Sequence, residues 1–260
     1  MLLAAFSLSH RELIRFFRQP NRVVGALATP IVFWLLIGAG MGRSFGGGTQ
    51  RGYMEYFYPG TVLMVLLFTA IFSTISIIED RREGFLQSVL VAPVSRFSIV
   101  LGKTLGGTAL ASMQGVLLLM LAPLIGIRFT ILSATVAVLA ILVVSFALTA
   151  LGICIAWRMS STQGFHAIMN LFLMPMWFLS GALFPASGAW TGLQWVMRLN
   201  PLSYGLAAIR RALYWGGAEM AGASSIPSLP TSLIVSACFA AATFVLASYI
   251  AGGRVSADLQ

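Results

Sequence analysis

A chain of 260 residues that is 58% hydrophobic and only 9% charged carries more apolar side chain than a core of its length can hide from water. Composition therefore argues against a soluble domain and makes lipid the expected solvent. The net charge of +9 does not point to nucleic acid, because the basic residues lie between apolar runs and are not gathered on one polar face.

The first element, Leu8–Gln19, reads as a helix lying on the membrane surface. Ser9 and Glu12 have capping-box spacing, and Leu8 and Leu13 sit where a hydrophobic staple would. Leu13, Phe16 and Phe17 form an apolar face, while Arg11, Arg15 and Arg18 form a basic one. Because these charges precede the first apolar run, the segment does not read as a cleavable signal.

Six apolar runs long enough to span a bilayer follow: Val23–Met41, Phe57–Ile78, Thr104–Ile127, Ile131–Trp157, Phe165–Phe184 and Thr231–Ala251. They are continuous, not alternating, which favours helices over a barrel. With the N-terminus inside, the inner segments hold Arg11, Arg15, Arg18, Arg22, Arg81, Arg82, Arg96, Lys103, Arg158 and Arg254. The outer segments hold fewer: Arg43, Arg51, Arg128, Arg198, Arg210 and Arg211. Both termini are then expected on the cytoplasmic side.

Between the second and third runs lies the densest charge of the chain, Glu79, Asp80, Arg81, Arg82 and Glu83. Gly84 follows, then an apolar stripe of Phe85, Leu86, Val89 and Leu90; Pro93 ends this helix and Ser95 can cap the next. The expectation for residues 79–93 is a short amphipathic helix, exposed to the cytoplasm and suited to docking a partner. Gly102-Lys103-Thr104 imitates the end of a phosphate-binding loop, but Phe97 stands where the first Gly is required, so Lys103 reads as a snorkelling anchor. Between the fifth and sixth runs, residues 193–215 read as two short half-inserted outer helices broken at Pro201, with Trp195, Tyr204, Tyr214 and Trp215 as interfacial anchors. One spanning helix there would have to bury Arg198, Arg210 and Arg211.

Little else carries chemistry. Cys154 and Cys238 lie inside apolar runs and read as small buried hydrophobes, with neither metal nor disulfide spacing. His166 and Asn170 read as a packed, hydrogen-bonded polar pair. All seven acidic residues fall outside the apolar runs, which disfavours a carrier coupled to protons or sodium. No catalytic, cofactor or metal site is indicated.

Two stretches resemble a known family. Glu79–Gly107 (EDRREGFLQSVLVAPVSRFSIVLGKTLGG) looks like the cytoplasmic segment of type-2 ABC exporter permeases, and Asn200–Leu213 (NPLSYGLAAIRRAL) is similar to their second signature. The nearest look is to the drug- and lipid-exporter permeases, with polysaccharide and lipo-oligosaccharide exporters as the alternative. Arg82 stands where many members carry a Glu, so no single ion pair is carried over.

The resemblance implies an all-α integral membrane protein forming one permease domain over residues 1–260, non-catalytic, multi-pass in the cell membrane. It would pair with a second permease copy, identical or a sibling, and with a separately encoded ABC ATPase that binds ATP and Mg. Glu79–Pro93 would be the coupling helix in the ATPase cleft, helped by Arg11, Glu12 and Arg15. Asn200, Pro201, Tyr204 and Arg210 would belong to half-inserted helices beneath the exit. A stand-alone secondary carrier and a non-transporting membrane assembly factor are the competitors from other classes.

Overall fold

The computed structural model describes residues 2–18, 20–41, 50–91, 94–128, 130–215 and 226–253, with the side chains at 20–23, 26, 41, 50, 51 and 90 left aside. Pro93, the side chain of Leu90 and most of the glycine-rich loop after Met41 lie outside these residues. Every regular element among the described residues is helical: α1 (Leu2–Phe17), α2 (Pro20–Met41), α3 (Gln50–Ser73), α4 (Ile75–Arg82), α5 (Phe85–Val91), α6 (Arg96–Leu121), α7 (Ile131–Ala156), α8 (Thr162–Trp177), α9 (Thr191–Leu199), α10 (Pro201–Leu213) and α11 (Leu229–Gly252).

The apolar runs dictate the architecture. Five helical stretches are long and apolar enough to cross a membrane: Gly52–Arg82, Arg96–Ile125, Ile131–Ala156, Thr162–Ala182 and Leu229–Gly252. The first expected span, Val23–Met41, corresponds to α2, whose described apolar stretch is the shorter Leu27–Gly40; its 22 residues nevertheless rise about 33 Å. The stretch containing α3 is the most buried of the five and packs against α2, α6 and α7. It forms the axis of the bundle, with Phe57, Leu63, Met64, Leu66, Leu67 and Ile71 fully enclosed. By contrast α11 buries little of itself and turns Ile234, Val245, Leu246 and Tyr249 outward, as a lipid-facing helix does.

Several local expectations need correction. The first helix begins at Leu2, so Ser9 and Glu12 lie inside it and make no capping box. The second span does not stop at Ile78: α4 continues from α3 after a single-residue break at Thr74, whose N–H donates to Ile71 O at 3.0 Å. Cys154 is buried, but Cys238 is exposed on the outward side of α11. His166 and Asn170 are both exposed and share no hydrogen bond among the described contacts; His166 instead meets Phe72 edge-on, with ring centroids 5.2 Å apart. Ser95 caps α6 as expected, accepting from the Ser98 N–H.

Candidate functional site

The charged stretch is built by three helices remote in sequence. α1 crosses α6 closely because α6 presents Gly102 and Gly106 there. A Cβ at Gly102 would lie 2.7 Å from Ala5 O, and one at Gly106 2.9 Å from Glu12 Cβ. This is the small-residue spacing that lets two helices approach in lipid. The apparent phosphate-loop glycine is therefore a packing residue.

That close approach sets Lys103 between α1 and α4. Its ammonium donates to Glu12 Oε1 at 2.6 Å, to Ser76 Oγ at 3.1 Å and to Asp80 Oδ2. Asp80 is fully enclosed and also receives both arginines of α1: Arg11 in two-pronged fashion at 2.9 and 3.2 Å, and Arg15 at 2.8 Å. Arg15 further reaches Glu79 at 3.0 Å and Glu83 at 3.4 Å. Burial alone would push the Arg11 pKa down; the hydrogen bond and charge of Asp80 overcome this and hold it above the ordinary value. The buried carboxylates Glu12 and Asp80 are thus compensated by Arg11, Arg15 and Lys103 where isolated charges would be costly, with Glu79 and Glu83 at the edge of the cluster.

This arrangement corrects three sequence readings. Lys103 is buried in an ion cluster and does not snorkel. Asp80 is not exposed for docking. The charged side of α1 faces the protein, and its outward side is the apolar one: Leu2, Leu3, Phe6, Ile14 and Phe17 are exposed.

The two arginines of the stretch tie α4 elsewhere. Arg81 donates to Trp157 O at 2.8 Å and Met159 O at 3.0 Å, and Arg82 to Ser160 O at 3.2 Å. They supply donors to carbonyls at the C-terminal end of α7, which have no helical partner. Gly84, at φ +74°, makes the turn into α5. Arg11 lies 3.8 Å above the Phe85 ring and Leu86 is buried, so α5 is held against the body. Arg82, Glu83, Gln87, Ser88 and Val91 remain exposed and form the outer surface of the α4–α5 hairpin.

At the other end of α3 the chain builds a second polar assembly. α8 breaks through one π-helical turn, Phe178–Ala182, in which Gly181 takes φ +87°. The freed carbonyls find donors on α3 and α10. Asn200 donates to Met176 O at 2.6 Å, and Ser203 to Leu179 O at 3.4 Å. Tyr56 and Arg210 both donate to Gly181 O, at 3.0 and 3.1 Å. Asn200 also caps α10 by accepting from the Leu202 N–H, and Pro201 occupies the first turn, where a missing N–H costs nothing. Tyr204 donates to Arg198 O at 2.9 Å, bracing α9 against α10. The two short helices with a break at Asn200–Pro201 match the expectation; the burial of Arg210, which is 4% exposed, does not.

Between α2, α3 and α8, on the α4 side, lies a cavity of about 560 Å³. Phe16, Phe68 and Phe72 line it together with the polar Thr29, Thr69, Ser73, Glu79, Thr162 and His166. The sequence did not single out these residues together, because they come from four separate segments.

A multi-pass helical bundle with a braced, charged hairpin at one end and a broken-helix assembly at the other defines an all-α integral membrane protein. Comparison with known proteins specifies which kind. Residues 4–214 match the model of the ABC-2 type transporter family, and the chain belongs to that family. It is similar to a putative transport permease ycf38 of Cyanophora paradoxa, 27% identical over 79% of this chain and 72% of that protein. It is also similar to nodulation protein J of Rhizobium meliloti (strain 1021), 27% identical over 72% of each chain, and to nodulation protein J of Rhizobium leguminosarum bv. viciae, 26% identical over 72% of this chain and 73% of that protein.

Proposed function

We propose that this chain is the non-catalytic permease subunit of an ATP-driven exporter that moves an amphipathic, drug-like or lipid-linked substrate out of the cytoplasm. The observation that carries this reading is the α4–α5 hairpin. It presents Arg82, Glu83, Gln87, Ser88 and Val91 outward, while Asp80, Arg81 and Arg82 anchor it to α1, α6 and the end of α7. A partner pressing on that surface acts directly on α3, because α4 is its continuation. The partner is a separately encoded ABC ATPase holding ATP and Mg; Lys103 of this chain is engaged by Glu12 and Asp80. Glu83 and the outer face of α5 take the docking role, and Arg11, Glu12 and Arg15 support it from behind.

A second permease copy completes the path. Both termini lie in the cytoplasm, and α9 and α10 are half-inserted at the outer leaflet beneath the exit. The large cavity favours a second cargo reading, polysaccharide or lipo-oligosaccharide, because hydroxyl side chains and aromatic rings line it together. The test is purification of the tagged chain from its native membrane in mild detergent, with ATP hydrolysis measured in the eluate. A stoichiometric partner that hydrolyses ATP is expected. A pure chain without ATPase would return the reading to a secondary carrier or an assembly factor.

A further inference from the structure

Arg210 is a buried cation with no carboxylate partner among the described residues. No Asp or Glu side chain lies within ion-pair distance of it among the described residues, and two of its five N–H donors are used, on Gly181 O at 3.1 Å and Tyr56 O at 3.3 Å. Its guanidinium lies 4.3 Å from the Tyr56 ring centroid. Its Nε is buried with no acceptor. An arginine keeps its charge under these conditions, and among the described residues that charge has no counter-ion, so it asks for an anion.

The place for one is adjacent. Arg210 lines a cavity of about 200 Å³ formed where α9, α10 and the broken end of α8 meet. Arg198, Gln194, Ser187 and Ser203 also line it, and none of the described lining residues is acidic. At about 30 Å³ per water it has room for a phosphate or carboxylate group with part of what that group is attached to. Tyr56 is some 24 residues before Asp80 on nearly continuous helix, roughly 36 Å, so this site is at the opposite end of the molecule from the ion cluster.

We infer that the cavity at Arg210 is a binding site for an oxyanion, a phosphate or carboxylate group held between Arg210 and Arg198. The group comes either from an anionic lipid headgroup or from a free anion. The inference does not depend on the export reading.

The test uses the full chain in neutral detergent and reads its melting temperature. Inorganic phosphate is titrated at ionic strength held constant with chloride; dihexanoyl phosphatidylglycerol is titrated separately, with dihexanoyl phosphatidylcholine as control. A saturable rise with phosphate supports a free-anion site. A rise with phosphatidylglycerol but with neither phosphate nor phosphatidylcholine supports a headgroup site. Arg210→Gln should abolish the response, and Arg210→Lys should restore part of it. Arg198→Gln, at an exposed position that leaves the carbonyl caps intact, should weaken apparent affinity about tenfold, which keeps the test decisive if Arg210→Gln fails to fold. No saturable response in the unmodified chain, or one unchanged by Arg198→Gln, would overturn the proposal and leave Arg210 as a carbonyl cap alone.

Discussion

Asp80 accepts charge-assisted hydrogen bonds from three cations and has no exposed surface. Removing one member of such a cluster leaves the others buried and uncompensated, at a cost of about 3–5 kcal/mol. Asp80→Asn should therefore unfold at markedly lower denaturant or temperature in a lipid nanodisc, whereas Glu83→Gln, whose partner contact is 3.4 Å long and whose side chain is 60% exposed, should change stability by about 0–1 kcal/mol. Equal effects of the two substitutions would refute the ordering. These roles were hidden in the sequence for a physical reason. Lys103 meets a carboxylate 91 residues away, and Arg11 one 69 residues away. Local spacing can suggest a cap or a snorkelling anchor, but it has no access to partners supplied by another helix. Ser9 and Glu12 show this directly: their capping-box spacing is real, yet Glu12 binds Lys103 inside a helix that began at Leu2.

At the scale of helices, legibility was much better, because a continuous apolar run has only one stable form in lipid. The second to sixth spans and the break at Asn200–Pro201 could all be read from the chain. Less visible were junctions set by tertiary contact: the continuation of α3 into α4, and the break of α8 at Gly181, where Pro175 and Gly181 are the only local signals. The α1–α6 crossing makes a testable claim at this scale. Gly106→Leu places side-chain atoms where Glu12 already sits. Overpacking of this kind costs about 1–3 kcal/mol, and it should loosen α1 enough for limited proteolysis to cut it more rapidly. Gly25→Ala, where a Cβ meets nothing within 4 Å, should leave the digestion pattern unchanged. Faster cleavage in both variants, or in neither, would argue against α1 being seated by this contact.

At the scale of the whole molecule, the two polar assemblies divide the bundle into unlike ends. One end is an ion cluster under an exposed hairpin; the other is a set of carbonyls capped by tyrosines, asparagine and arginine. If the hairpin end is cytoplasmic, single cysteines at the exposed positions Ser88→Cys and Ser187→Cys, in a chain with Cys154 and Cys238 replaced, should label from opposite sides of sealed vesicles. An impermeant maleimide should reach Ser187→Cys in intact cells and Ser88→Cys only after permeabilisation; labelling of both from one side would reject this topology. The ion cluster also has a consequence for biogenesis. α1 is synthesised before its partners, Asp80 at the end of the second span and Lys103 at the start of the third. Until the ribosome delivers them, Arg11, Glu12 and Arg15 have no buried partners and must stay hydrated. α1 is therefore seated only after the second span and the start of the third have been made, so its docking on Asp80 and Lys103 waits for the first half of the bundle.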